Sequence, residues 1–167
     1  MPFVVLVGMP GVGKTTVGRL IARTRDVEFI DLDEQIEREH GVSPADIIRD
    51  RGVEHFRDLE VDALARFIGH NGVLSCGGGV VTREEARRTL VDSHRVVWLN
   101  EALDAIAERV AHSDRPLLGA DPRARLEELW AERREFYAHV ARGVVDVNGS
   151  AEDVAREVCA LVETWDA

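Results

Sequence analysis

Five short apolar runs recur along the chain, separated by longer segments whose apolar residues return every three or four positions. The first run, residues 3–7, stops at Gly8. The second, 27–33, closes on two acids, and the third, 73–75, breaks soon after into Gly77, Gly78 and Gly79. Residues 95–100 and 144–147 complete the set. Short runs without polar alternation predict strands buried on both faces. The helical period between them predicts helices over 14–25, 53–68, from the fourth strand to 110, 121–141 and 151–164. Ser43-Pro44-Ala45-Asp46 marks a further helix start, with serine at the N-cap, proline at N1 and an acid at N3, and Asp121-Pro122 caps the long helix that runs to about 141. The order reads β-α-β-α-α-β-α-β-α-α-β-α. It predicts an α/β fold: one domain over residues 1–167, a five-stranded parallel sheet with helices on both faces.

Composition narrows the function. A net charge of −10 excludes a broad nucleic-acid surface but leaves room for a small anion site where a few arginines converge. Cys76 and Cys159 lie far apart and outside any metal-ligand spacing, so both read as free thiols in a reducing compartment. The six histidines show no ligand pattern either. The stretch before Gly8 is too short for a signal peptide, and no apolar run approaches the roughly 18 residues needed to cross a bilayer. The expectation is a cytoplasmic protein, monomeric, acting on small molecules, with neither nucleic acid nor membrane as partner.

Candidate chemistry begins at the end of the first run. Gly8-x4-Gly13-Lys14-Thr15 has the spacing of a phosphate-binding P-loop and stands between a predicted strand and a predicted helix, the context such a loop needs. Its glycines let backbone N–H groups turn inward on an anion, and the following helix adds its positive end. Lys14 reaches the outer phosphates, and Thr15 offers a hydroxyl to Mg²⁺. Lys14 is the only lysine in the chain, the other 20 basic residues being arginine. A planar guanidinium does not replace a compact ammonium in such a loop. The missing second lysine excludes a GTPase base-reading motif of the N-K-x-D type. The third run ends in Ser75-Cys76 rather than the acid that many ATPases place there. Acids end the second run instead: Asp31 and Asp33, two apart on an extended segment, share one face beside the P-loop. A competing reading makes Asp33 the N-cap of a helix through 34–41.

The chain resembles the shikimate kinases over essentially its whole length. The matching residues are GMPGVGKTT (8–16), DLD (31–33), GVEHFRDLE (52–60), LSCGGGVV (74–81), RPLL (115–118), and an arginine four residues before Tyr137, in this order and with these separations. The resemblance implies a P-loop kinase of the nucleoside-monophosphate-kinase type with a mobile lid at about 112–121. Such an enzyme moves the γ-phosphoryl of ATP to the 3-hydroxyl of shikimate with Mg²⁺, a step toward chorismate and the aromatic amino acids. It further implies that Gly11, Val12, Gly13, Lys14, Thr15, Thr16, Arg109 and Arg115 bind ATP, and that Thr15 and Asp31 stand at the metal. Asp33, Arg57, Gly77, Gly78, Gly79 and Arg133 bind shikimate, with Lys14, Asp33 and Arg115 as the catalytic set. A guanidinium pairs bidentately with a carboxylate, which suits Arg57 and Arg133. From the residues alone, Arg57 is equally a helical partner of Glu54 or Glu60, and Arg134 competes with Arg133. Three glycines after a strand point to close approach of a ligand.

Overall fold

The computed structural model describes residues 2–112 and 120–167. Strand β1 (Val4–Val7) leads through the glycine loop into α1 (Lys14–Arg25), and β2 (Glu28–Asp31) runs directly into α2 (Leu32–His40). Helices α3 (Pro44–Arg51) and α4 (Val53–Phe67) precede β3 (Gly72–Ser75). A short 3-10 turn (Val80–Thr82) and α5 (Glu84–Ser93) lead to β4 (Val96–Asn100). Then come α6 (Leu103–Ala111), α7 (Pro122–Val140), β5 (Gly143–Asp146) and α8 (Ala151–Asp166). The strands form one sheet in the order β2-β3-β1-β4-β5, every pairing parallel. Central β1 is at most 1% exposed at each residue, as its unbroken apolar run requires. Because all strands point the same way, Gly8, Cys76 and the end of β2 open on one side of the sheet, where open α/β sheets receive ligands.

The predicted caps are present. Ser43 accepts from the Asp46 N–H at 3.1 Å behind Pro44, and Asp121 accepts from the Ala124 N–H at 3.1 Å behind Pro122. The second strand departs from expectation. It ends at Asp31, whose carboxylate accepts the N–H groups of Asp33 and Glu34 at 3.0 and 3.3 Å and so starts α2 two residues early. Asp33 therefore lies in the first turn of a helix and not on an extended face with Asp31. The acid that caps α2 is Asp31, and the region between β2 and β3 holds three helices where two were predicted. Among the described residues, no helix is long and apolar enough to cross a membrane.

Candidate active site

The loop from Gly8 to Gly13 turns on three left-handed glycines, with φ of 150° at Gly8, 86° at Gly11 and 98° at Gly13. Side chains rarely adopt these angles, and a Cβ on Gly11 would also come within 2.8 Å of Val110. Lys14 opens α1 and folds back over the loop, its Nζ donating to the carbonyls of Gly8 and Met9 at 2.8 and 3.0 Å. The ammonium thus stands across the loop mouth, 9% exposed and facing the cavity. Thr15 donates its hydroxyl to Asp31 Oδ2 at 2.8 Å, joining the loop to the end of β2. Gly11, Gly13 and Thr16 also line the cavity, whereas the Val12 side chain is buried in the core. Arg109 reaches back from α6 to donate to the Gly11 carbonyl at 2.7 Å and pairs with Glu101, bracing the loop from outside.

The cavity holds about 420 Å³ and runs from this loop to a polar end walled by α4 and α7. Arg57 and Glu60, one turn apart on α4, form a close ion pair; Glu60 is 1% exposed. Burial pushes the Glu60 carboxyl up to about 7, with Asp33 raising it further and Arg57 and Arg133 opposing. Arg133 projects from α7 into the cavity at 6% exposure, while Arg134 is exposed. One turn on, the fully buried Tyr137 donates to the Gly78 carbonyl at 2.5 Å and stacks on Trp98 with ring centroids 5.8 Å apart. Burial pushes the Tyr137 phenol up to about 12 and holds the Cys76 thiol well above its usual range, so both stay neutral at ordinary pH.

None of Gly77, Gly78 and Gly79 has positive φ, so conformation does not require them. Space does. A Cβ on Gly77 would come within 2.8 Å of Asp33 Oδ1 and overlap Glu60 Oε1; on Gly78 it would reach Pro10 at 2.9 Å; on Gly79 it would overlap the Arg57 guanidinium. The missing side chains make room for the acid, the P-loop and the arginine in turn. Among the lining residues, four cations (Lys14, Arg57, Arg125, Arg133) meet three carboxylates (Asp31, Asp33, Glu60), a local positive excess in a chain of net charge −10.

The family model for shikimate kinase matches residues 10–163, nearly the whole chain. The chain belongs to the shikimate kinase family. It is 44% identical to the shikimate kinase of Salinispora arenicola, over 96% of this chain and 98% of that one. The Frankia casuarinae shikimate kinase is 46% identical, over 94% of this chain and 70% of its own length. The structure of the Acinetobacter baumannii shikimate kinase in complex with shikimate superposes with a TM-score of 0.90 at 34% identity, covering 96% of this chain and 92% of that one. A gluconokinase from Sinorhizobium meliloti shares the fold alone, with a TM-score of 0.60 at 22% identity and coverage of 97% and 92%.

Within this shikimate kinase, the sequence-predicted residues Gly11, Gly13, Lys14, Thr15, Thr16, Asp31, Asp33, Arg57, Gly77, Gly78, Gly79 and Arg133 share one cavity. Arg109 sits behind it on the loop, and Arg115, with most of the predicted lid, lies outside the described residues. Three neighbours of the site escaped the sequence reading. Glu60 closed the matched stretch GVEHFRDLE but was given no role there beyond that of a helical partner of Arg57. Tyr137 served only as a spacing marker. Arg125 forms with Leu129 and Arg133 a stripe at intervals of four along α7, a period legible in sequence once the inward face is known.

Proposed function

We propose that this enzyme transfers the γ-phosphoryl of ATP to the 3-hydroxyl of shikimate, with the described side chains dividing the work between two ends of one cavity. The observation that carries it is that Lys14, Asp33, Arg57 and Arg133, from four different elements, line the same 420 Å³ space. Lys14 and the loop amides hold the outer phosphates of ATP. Arg57 and Arg133 pair with the acceptor carboxylate, and this fixes the ring so that its hydroxyl faces the phosphates. Asp33, half-buried between the two ends, orients that hydroxyl and accepts its proton as the new O–P bond forms and the bridging oxygen leaves with ADP.

Mg²⁺ fits the same arrangement. The Thr15 hydroxyl and the Asp31 carboxylate are hard oxygen donors, already 2.8 Å apart at the edge of the P-loop. Few protein ligands plus phosphate oxygens suit this ion. When bound, it supplies charge neutralisation at the β- and γ-phosphate oxygens.

Coupled ADP release with ATP and a panel of shikimate, quinate, gluconate and nucleoside monophosphates tests the substrate. Shikimate is expected to raise turnover far above the background, and a rate indifferent to shikimate would sink the reading. A second expectation concerns the glycines. In Gly79→Ala the new Cβ displaces only the far end of the Arg57 side chain, so folding survives but the carboxylate contact is lost. The KM for shikimate should rise about ten- to a hundredfold, the usual worth of a charge-assisted hydrogen bond. The KM for ATP should hold. A shikimate KM within about twofold of the parent would show that Arg57 is not the clamp.

A further inference from the structure

The acceptor end is electrically balanced before any ligand arrives. Arg57 and Arg133 face Asp33 and Glu60, two cations against two carboxylates brought together by α2, α4 and α7, while Arg125 on α7 is exposed and paired with Glu128. Within this cluster Glu60 is half satisfied. Its Oε2 accepts from Arg57, while Oε1 is buried, has no hydrogen-bond partner among the described residues and lies against Gly77 on the cavity wall. A buried carboxylate with one oxygen bare depends heavily on its single cation. The substrate reading above brings a third carboxylate to the same two arginines. Arg57 then has two claimants, and the enclosed group carries one negative charge too many.

We propose that Glu60 takes up a proton when the acceptor's carboxylate docks on Arg57 and Arg133, so that Arg57 passes from Glu60 to the ligand and the buried end of the cavity stays neutral. Glu60 is on this account a positioning residue. Ionised, it holds Arg57 in place in the empty site; protonated, it releases the guanidinium and turns a hydroxyl toward Oε1's side of the cavity. The direction follows from charge. An incoming anion disfavours every neighbouring carboxylate, and the proton goes to the one least exposed to water. At 1% exposure that is Glu60, whereas Asp33 is half-buried. The other groups facing Glu60 do not compete. Cys76, at the end of β3, and Tyr137, on α7, are both held neutral by burial at ordinary pH. Lys14, on the P-loop side, acts on the Cys76 thiol, whereas the charges that act on Glu60 are those of Arg57, Asp33 and Arg133. The cluster already poises Glu60 at about 7, so a small further push moves a measurable fraction of a proton.

The inference rests on shikimate as acceptor, and calorimetry separates the two. Shikimate is titrated into the full chain in buffers of different ionisation enthalpy. The dependence of the observed heat on that enthalpy gives the protons exchanged. For a bound-state pKa about one higher, uptake should be about half a proton per shikimate at about pH 7.5, falling toward zero near pH 5.5. In Glu60→Gln, titrated at raised shikimate concentration, the uptake should vanish. As a check that needs no variant, the Glu60 side-chain carboxyl, assigned by carbon-13 NMR through its own backbone amide, should titrate at higher pH with shikimate than without. Binding with no proton uptake, uptake that persists in Glu60→Gln, or an unmoved Glu60 midpoint would each overturn the proposal. Absence of any shikimate binding to the parent would overturn the substrate reading instead.

Discussion

Lys14→Arg is expected to lower kcat by about 10²–10³-fold, the usual cost of removing one preorganised charge from a transition state. The substitution keeps the charge, so the loss is one of shape. The Lys14 ammonium is held between the Gly8 and Met9 carbonyls at 2.8 and 3.0 Å, on a side chain that is 9% exposed. A guanidinium is wider, flat and directional; it cannot donate to both carbonyls and still present a compact charge to the γ-phosphate. Equilibrium ATP binding should weaken far less than kcat falls, because positioning of the transferring group suffers more than affinity. If Lys14→Arg turns over within about tenfold of the parent, the ammonium is not the group that stabilises the transferring phosphoryl.

Arg133→Met should raise the KM for shikimate about 30-fold or more, corresponding to the roughly 2 kcal/mol or more lost when one partner of a buried charge pair is truncated. Arg134→Met should leave it unchanged. The contrast comes from burial. Arg133 is 6% exposed and lines the cavity, whereas Arg134, the next residue on α7, is exposed to solvent. The thioether keeps much of the packing volume, so the thermal midpoint of Arg133→Met should fall little and the KM for ATP should hold. Steady-state kinetics with each substrate varied in turn separates the cases. Equal effects from both variants would remove Arg133 from the carboxylate site.

Much of this protein was readable along the chain because the features concerned are contiguous. The apolar runs gave all five strands; inner β1 and β3 are buried throughout, as such runs predict, whereas edge β5 buries Val145 and leaves Val144 exposed. Gly8 to Thr16 spelled the phosphate cradle for the same reason: a loop that closes on itself needs its glycines, lysine and hydroxyl within one turn of chain. Ser43 and Asp121 announced their helices through local hydrogen bonds that the structure contains.

What lay beyond the sequence were choices made by residues distant in the chain. Periodicity cannot tell whether Arg133 or Arg134 faces inward, because adjacent helical residues point about 100° apart and only the docking of α7 on the sheet selects one. The pair Asp31 and Asp33 reads as a single extended unit until the Asp31 carboxylate captures two backbone N–H groups and turns the chain into a helix. The triple glycine is unexplained by any turn and becomes necessary only when α2, α4 and the P-loop bring Asp33, Glu60, Arg57 and Pro10 against it. Glu60 differs from Glu54, the exposed glutamate of its helix, in having been packed against Gly77 and Arg57. Sequence alone determined the sheet, the phosphate cradle and the family's set of polar residues, all of them local patterns. Tertiary packing decided which of those residues lose their water, and with it which charges must be shared at the acceptor end.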